Sequence, residues 1–158
     1  YAGLGSTRTL GISVDILEVT YAFGSFALNI SSVTVSSITV TNNGDVTETF
    51  YIRAATNTAG SPWTVSADSA NGFNELVLQG VFHPTQPGHA QFGVEDVING
   101  TSQASQTAGG GRYTIDGSQT GVNVAPGESR ALWLRFTLPL GTSTTDPQLV
   151  KVTVAAQQ

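Results

Sequence analysis

The chain has 158 residues, of which only 11% are charged; it carries a net charge of −5 at neutral pH and a sequence pI near 4.7. Its length suits one domain, and its acidity opposes a phosphate-binding footprint, which excludes nucleic acid as a partner. No apolar run approaches the 18 residues needed for a membrane-spanning helix, and Leu, Ile, Val and Phe are too abundant for a disordered chain.

Cysteine and methionine are both absent. Without Cys there are no disulfides, haem attachments or thiolate metal sites. Without Met, and with Tyr1-Ala2-Gly3-Leu4 at the start, the sequence reads as a mature end left by signal-peptide removal, so a secreted, extracellular or cell-surface protein is expected. Lys occurs once, at Lys151, and the surface must be covered by hydroxyls, amides and backbone.

Helical periodicity is nearly absent, while β-branched residues, alternation and Gly/Asn/Pro punctuation are dense. Strands are expected near 7–20, 26–30, 33–41, 46–55, 62–67, 74–82, 112–115, 130–138 and 148–156. The first is the clearest: Leu10, Ile12, Val14 and Ile16 share one face, with Gly11, Ser13 and Asp15 opposite. Parity then slips at Leu17, Val19 and Tyr21, as at a bulge or bend. Between the third and fourth strands, a three-residue loop Asn42-Asn43-Gly44 sets Val40 opposite Val46 and predicts a hairpin with Gly44 in a left-handed bulge position; a crossing between sheets at the same place is the alternative. Residues 83–111 are broken by Pro84, Pro87, Gly88, Gly93 and Gly100 and predict a long excursion with a helical turn at 94–98. Pro126-Gly127-Glu128 then introduces a strand with Leu132, Leu134, Phe136 and Leu138 on one face and Trp133 and Arg135 on the other. The last strand places Val150, Val152 and Val154 on one face, and these two strands should pair or lie close across the core.

This pattern predicts an all-β chain: an immunoglobulin-like or jelly-roll-like two-sheet antiparallel sandwich with one long irregular excursion. Residues 1–158 form a single domain, in which 1–20 can be an N-terminal extension or donor strand.

The runs from Ser37 to Arg53, from Val124 to Pro139 and from Val150 to Val154 resemble secreted bacterial and archaeal immunoglobulin-like domains, with a Val-Thr-Asn-x-Gly strand end at 40–44 and a Pro-Gly-Glu-Ser strand start at 126–129. The same pattern is similar to that of camelysin/TasA-type biofilm fibre subunits and archaeal bundling pili. The resemblance implies assembly of copies into a fibre by donation of a terminal strand. The chain departs from that pattern in its Gly/Ser/Thr-rich excursion and its very few charges.

The residues point the same way. A terminal, apolar-faced strand behind the Gly3-Leu4-Gly5-Ser6 leader can insert into a neighbour's groove, main-chain hydrogen bonds giving affinity and alternate side chains giving register. Donor and groove are different surfaces, so the contact runs head to tail and can propagate into an open filament or tube of identical copies. The plainer reading makes it the first strand of the chain's own sheet. Leu10, Ile12, Val14 and Ile16 are the candidate interface residues between subunits. Few ionic gatekeepers protect the strand edges, and several strands carry apolar residues on both faces: Leu76, Leu78 and Phe82 oppose Val77 and Val81, and Trp133 opposes Leu132 and Leu134. A second apolar face calls either for another copy or for cover by a loop such as 83–111.

Other chemistry is thinly supported. His83 and His89 with Glu95 and Asp96 lack a standard metal-ligand spacing, and Asp116-Gly117 and Asn123 lie in no calcium-loop pattern. No nucleophile elbow, zincin or phosphate-loop motif occurs, and no catalytic residue, metal or cofactor is assigned. The alternative function is a carbohydrate-binding module that stacks glycans on Trp63, Trp133, Tyr51 or Tyr113. Asn29-Ile30-Ser31 and Asn99-Gly100-Thr101 match the glycosylation sequon.

Overall fold

A computed structural model describes residues 11–16 and 23–158 of the chain. Among these residues the protein is an all-β sandwich of two sheets with no α-helix. Nine strands follow in order: β1 (Val14–Ile16), β2 (Ser31–Val33), β3 (Ile38–Asn42), β4 (Thr49–Thr56), β5 (Thr64–Val65), β6 (Glu75–Phe82), β7 (Gln103–Ala104), β8 (Ser129–Thr137) and β9 (Val150–Gln157). The larger sheet runs β1-β3-β8-β6-β5, with β2 also paired to β8, and the smaller runs β7-β4-β9. All pairings are antiparallel except β5 with β6, which departs from the fully antiparallel expectation.

The alternation in β8 builds the main core. Leu132, Leu134, Phe136 and Leu138 face the second sheet and pack with Phe50, Ile52, Phe82, Ile98, Tyr113 and the valines of β9. β8 and β9 belong to different sheets, so they meet across the core and do not pair.

The predicted hairpin at Asn42-Asn43-Gly44 does not form. Val40 lies opposite Ile16 and Arg130 in the larger sheet, while β4 belongs to the smaller one. The chain crosses between sheets, and buried Asn42 makes the crossing possible. Its Nδ2 donates to the carbonyls of Val46 at 2.7 Å and Val124 at 2.8 Å, and its Oδ1 accepts Gly44 N–H at 2.8 Å. One side-chain amide thus bonds three backbone groups of the crossing, the Val124 carbonyl among them, which also accepts Glu48 N–H at 3.0 Å. Residues 43–48 are spent on the crossing, which is why β4 starts at Thr49 and not at 46.

Two other expected strands are absent. Residues 26–30 are irregular and contain Asn29 at φ 57°, and the strand over 112–115 is interrupted by Tyr113 at φ 63°, a left-handed conformation that no ladder accommodates. The parity slip expected over Leu17, Val19 and Tyr21 lies outside the described residues.

The excursion of 83–111 is ordered around two 3-10 turns, His89–Gln91 and Val94–Asp96. It lies over the outer face of the larger sheet, where Phe92 packs with Val33, Val81, Trp133 and Ile115 in a second apolar cluster. Backbone stitching holds it there: Ile98 N–H donates to Leu78 O at 2.8 Å and Gln79 Nε2 to Gly93 O at 2.7 Å. It then wraps to the smaller sheet, where Ala54 N–H donates to Asn99 O and β7 pairs with β4. The second apolar face is therefore covered by the chain's own loop, which removes that face as a reason for assembly.

Asp96 pins the excursion. It is 4% exposed, and its carboxylate accepts Gly93 N–H and Tyr113 N–H, each at 2.8 Å. Burial nevertheless pushes its pKa from 3.8 up to about 6, outweighing the two N–H donors, and the Glu95 charge adds to the rise.

Two outcomes follow from these buried groups. Asn42→Asp replaces a double donor by acceptors facing two carbonyls and should cost about 2–4 kcal/mol, read as a lower urea midpoint at unchanged slope. The folded chain holds the Asp96 proton more tightly than the unfolded chain, so the contribution of Asp96 to stability is full below pH 3.8 and is lost as pH rises through about 6. The fall should total roughly 3 kcal/mol, and Asp96→Asn should flatten it.

Candidate assembly interface

The four residues expected at a subunit interface are placed unevenly. Leu10 lies outside the described residues. Val14 and Ile16 sit on β1, half-buried against the main core, opposite Asn42 and Val40 of the chain's own β3. Ile12 precedes the strand and is 50% exposed. In this chain the strand joins its own sheet, the plainer of the two sequence readings.

Two backbone bonds and one bond to a side chain continue the β1 pairing toward the N-terminus. Asn43 N–H donates to Ser13 O at 2.8 Å, Asp45 N–H to Gly11 O at 2.9 Å, and Ser13 N–H to Glu48 Oε1 at 2.7 Å. Gly44 lies close beneath this segment: a Cβ there would stand 2.6 Å from Gly11 O and would also meet the Glu48 carboxylate. Glu48 itself is 1% exposed. Sequence reading passed over it, although the signal was present, because parity counted back from Phe50 and Ile52 puts Glu48 on the inward face.

Strand edges are the other assembly feature. Among the described residues the strands paired on one side only are β1, β2, β5, β7 and β9. The first four have two or three residues, and β9 has eight. Asn57 N–H donates to Leu149 O, which sets the ladder phase: odd-numbered residues of β9 bond to β4. The N–H and C=O groups of Val150, Val152, Val154 and Ala156 therefore point to the outer edge, where no described strand pairs. One charge, Lys151, lies on the whole strand.

The candidate glycan platforms are largely consumed by packing. Trp133 is 7% exposed in the second cluster, with Nε1 donating to His83 O at 2.8 Å. Tyr113 is fully buried, and burial pushes its hydroxyl pKa up to about 12. Trp63 is half-buried against the core and donates to Thr142 Oγ1 at 2.7 Å; Tyr51 is half-buried on β4. A polar cleft of about 160 Å³ is lined by Glu95, Asn99, Gln103 and Arg112, below the roughly 300 Å³ at which ligand pockets begin.

The groups considered for metals do not converge. His89 and Glu95 are exposed, Asp96 is buried on backbone donors, and His83 Nδ1 sits 2.8 Å from Thr85 O. Among the described residues no three His, Asp or Glu side chains are grouped to hold an ion. Asp116 is exposed, and bonds from Ser118, then the nearby His83, hold its carboxyl below the usual range. Asn123 takes a left-handed turn at φ 53°. Of the sequon asparagines, Asn29 is exposed and Asn99 half-buried, its Nδ2 donating to Ala67 O at 3.2 Å. No helix among the described residues is long and apolar enough to cross a membrane.

Because Trp133 is packed on all sides, Trp133→Ala should act on stability, lowering it by roughly 3–5 kcal/mol in urea titration. Comparison with protein-family models, with curated proteins and with solved structures finds no match.

Proposed function

We propose that the protein is a structural subunit of an extracellular, self-assembling filament, tube or surface layer, held by β-strand contacts between copies. The observation that carries this reading is the outer edge of β9. Soluble β-proteins guard their edges with short strands, charges, prolines or covering loops. Here four edges are short, and the fifth offers eight residues and a single Lys. Such an edge accepts an added strand through main-chain hydrogen bonds. The low overall charge suits the same role, since it leaves little like-charge repulsion between copies. Exposed Ile12, on the segment leading into β1, supplies an apolar side chain for the contact.

The function is passive, and the chain needs no cofactor for it. The contact between two copies is heterologous, edge against strand, and therefore open-ended.

Negative-stain imaging of the purified protein tests this directly, with ordered filaments, tubes or sheets expected. Two substitutions should abolish them without unfolding the subunit. Ile12→Asp changes a half-exposed side chain and should alter stability by less than about 0.5 kcal/mol. Ala156→Pro removes an N–H that β4 does not use and blocks the outer edge. Dispersed monomers of the unsubstituted protein, retained on insoluble polysaccharide, would overturn the proposal in favour of glycan binding.

A further inference from the structure

The two ends of the larger sheet differ. The crossing at Asn42 lies at one, where β8 begins. At the other, where β8 ends, three irregular segments meet: 24–30 leads into β2, 71–74 leads into β6, and 138–141 follows β8. On these segments Phe26, Leu28, Ile30, Phe73 and Leu140 are between 41% and 67% exposed.

Polar groups tie the segments to one another. Asn29 N–H donates to Pro139 O at 3.0 Å, Leu140 N–H to Gly72 O at 2.9 Å and Asn74 N–H to Gly141 O at 2.8 Å. Asn71 Nδ2 donates to Leu138 O at 2.6 Å. The Asn74 amide donates to Ser143 Oγ at 2.9 Å and accepts Ser143 N–H at 2.8 Å. The exposed apolar groups therefore stand on one frame, and the donors and acceptors that join it are already used.

Three features indicate what this end meets. A protein partner is recognised through about one hydrogen bond per 100–200 Å², and here the bonding groups of the frame are spent inward. A lipid interface sets the opposite condition, that polar groups be satisfied within the protein. Area agrees. Five partly exposed side chains offer on the order of 400 Å², the scale of a functional surface patch and about half of what each partner buries in a stable protein complex. Charge agrees as well: residues 24–32, 69–74 and 138–145 contain no Asp, Glu, Lys or Arg. Inserting them strips water from no ion, and they carry no cation to seek an anionic headgroup.

We propose that this end of the sandwich is a lipid-contacting surface, which lays Phe26, Leu28, Ile30, Phe73 and Leu140 into the interfacial region of a membrane with electrically neutral headgroups. The contact is peripheral, driven by apolar burial and not by charge. It does not rest on the assembly reading, which concerns the edge of β9 in the other sheet.

Flotation of the purified protein through a density gradient with phosphatidylcholine vesicles tests the proposal. The protein should rise with the vesicles, and added salt should not release it. Replacing part of the lipid by phosphatidylglycerol should weaken the association, because the chain carries a net charge of −5. Phe73→Ser with Leu140→Ser should lower partitioning by at least about tenfold. Both side chains are more than half exposed, so the variant should keep its fold, checked by an unchanged urea midpoint. Val94→Ser, at a residue 68% exposed on the excursion, should leave partitioning unchanged. A protein that stays at the bottom with phosphatidylcholine, or a double variant that floats as well as the parent, overturns the proposal. So does a non-floating dimer that the double variant dissociates, which assigns this end to a second copy. Polymers without lipid remain at the bottom of the gradient, so loss of flotation and loss of assembly are read apart.

Discussion

The sandwich depends on one buried amide. Asn42 ends the third strand of the larger sheet and turns the chain toward the smaller one, holding the carbonyls of Val46 and Val124 and the N–H of Gly44. Its own backbone is equally occupied: its N–H donates to Glu128 O, and its carbonyl accepts from Gly127. Crossing loops carry polar backbone groups into a place where neither ladder can satisfy them. A side chain with two donors and an acceptor, short enough to reach back to its own backbone, resolves that conflict. From this crossing follow the position of β4 above the core, the inward turn of Glu48 and the gap beside Gly44 into which the N-terminal segment settles.

The excursion accounts for much of what is unusual in the composition. The larger sheet is apolar on both sides, and a sheet of that kind normally meets a partner or an added layer. Here the layer is a stretch of two 3-10 turns and extended chain, anchored by Phe92 over Val81 and Trp133 and by Asp96 on two backbone N–H groups. Polar, Gly-rich sequence thus does what a helix does in other folds. Assembly has to be argued from strand edges, because the faces are already occupied.

Period-two patterning made the two long strands of the core legible. The alternation of Leu132, Leu134 and Phe136 against Trp133 and Arg135 is the observed division between the main core and the outer cluster. The shared face of Val14 and Ile16 is equally real. The turn at Asn42-Asn43-Gly44 left a hairpin and a crossing between sheets open, and the crossing is the one that forms. A hairpin and a crossing satisfy the same face parity, and only the position of β8 and β1 on either side of β3 leaves no room for β4 in that sheet. Glu48 was missed because a charged residue among threonines reads as solvent-facing, although its parity with Phe50 placed it inside.

The amino-acid sequence by itself determined the fold class, the division of β8 into two apolar faces, the long excursion and the exclusion of disulfide and thiolate chemistry. These depend on local periodicity and composition, which survive without knowing any neighbour. Tertiary structure decided which sheet each strand joined, what covered the second face and which buried side chain receives the Ser13 N–H. Those outcomes turn on contacts between residues far apart in the chain, such as Ser13 with Glu48 and Asn42 with Val124. A buried polar group finds its partner only when the strands around it are already in place.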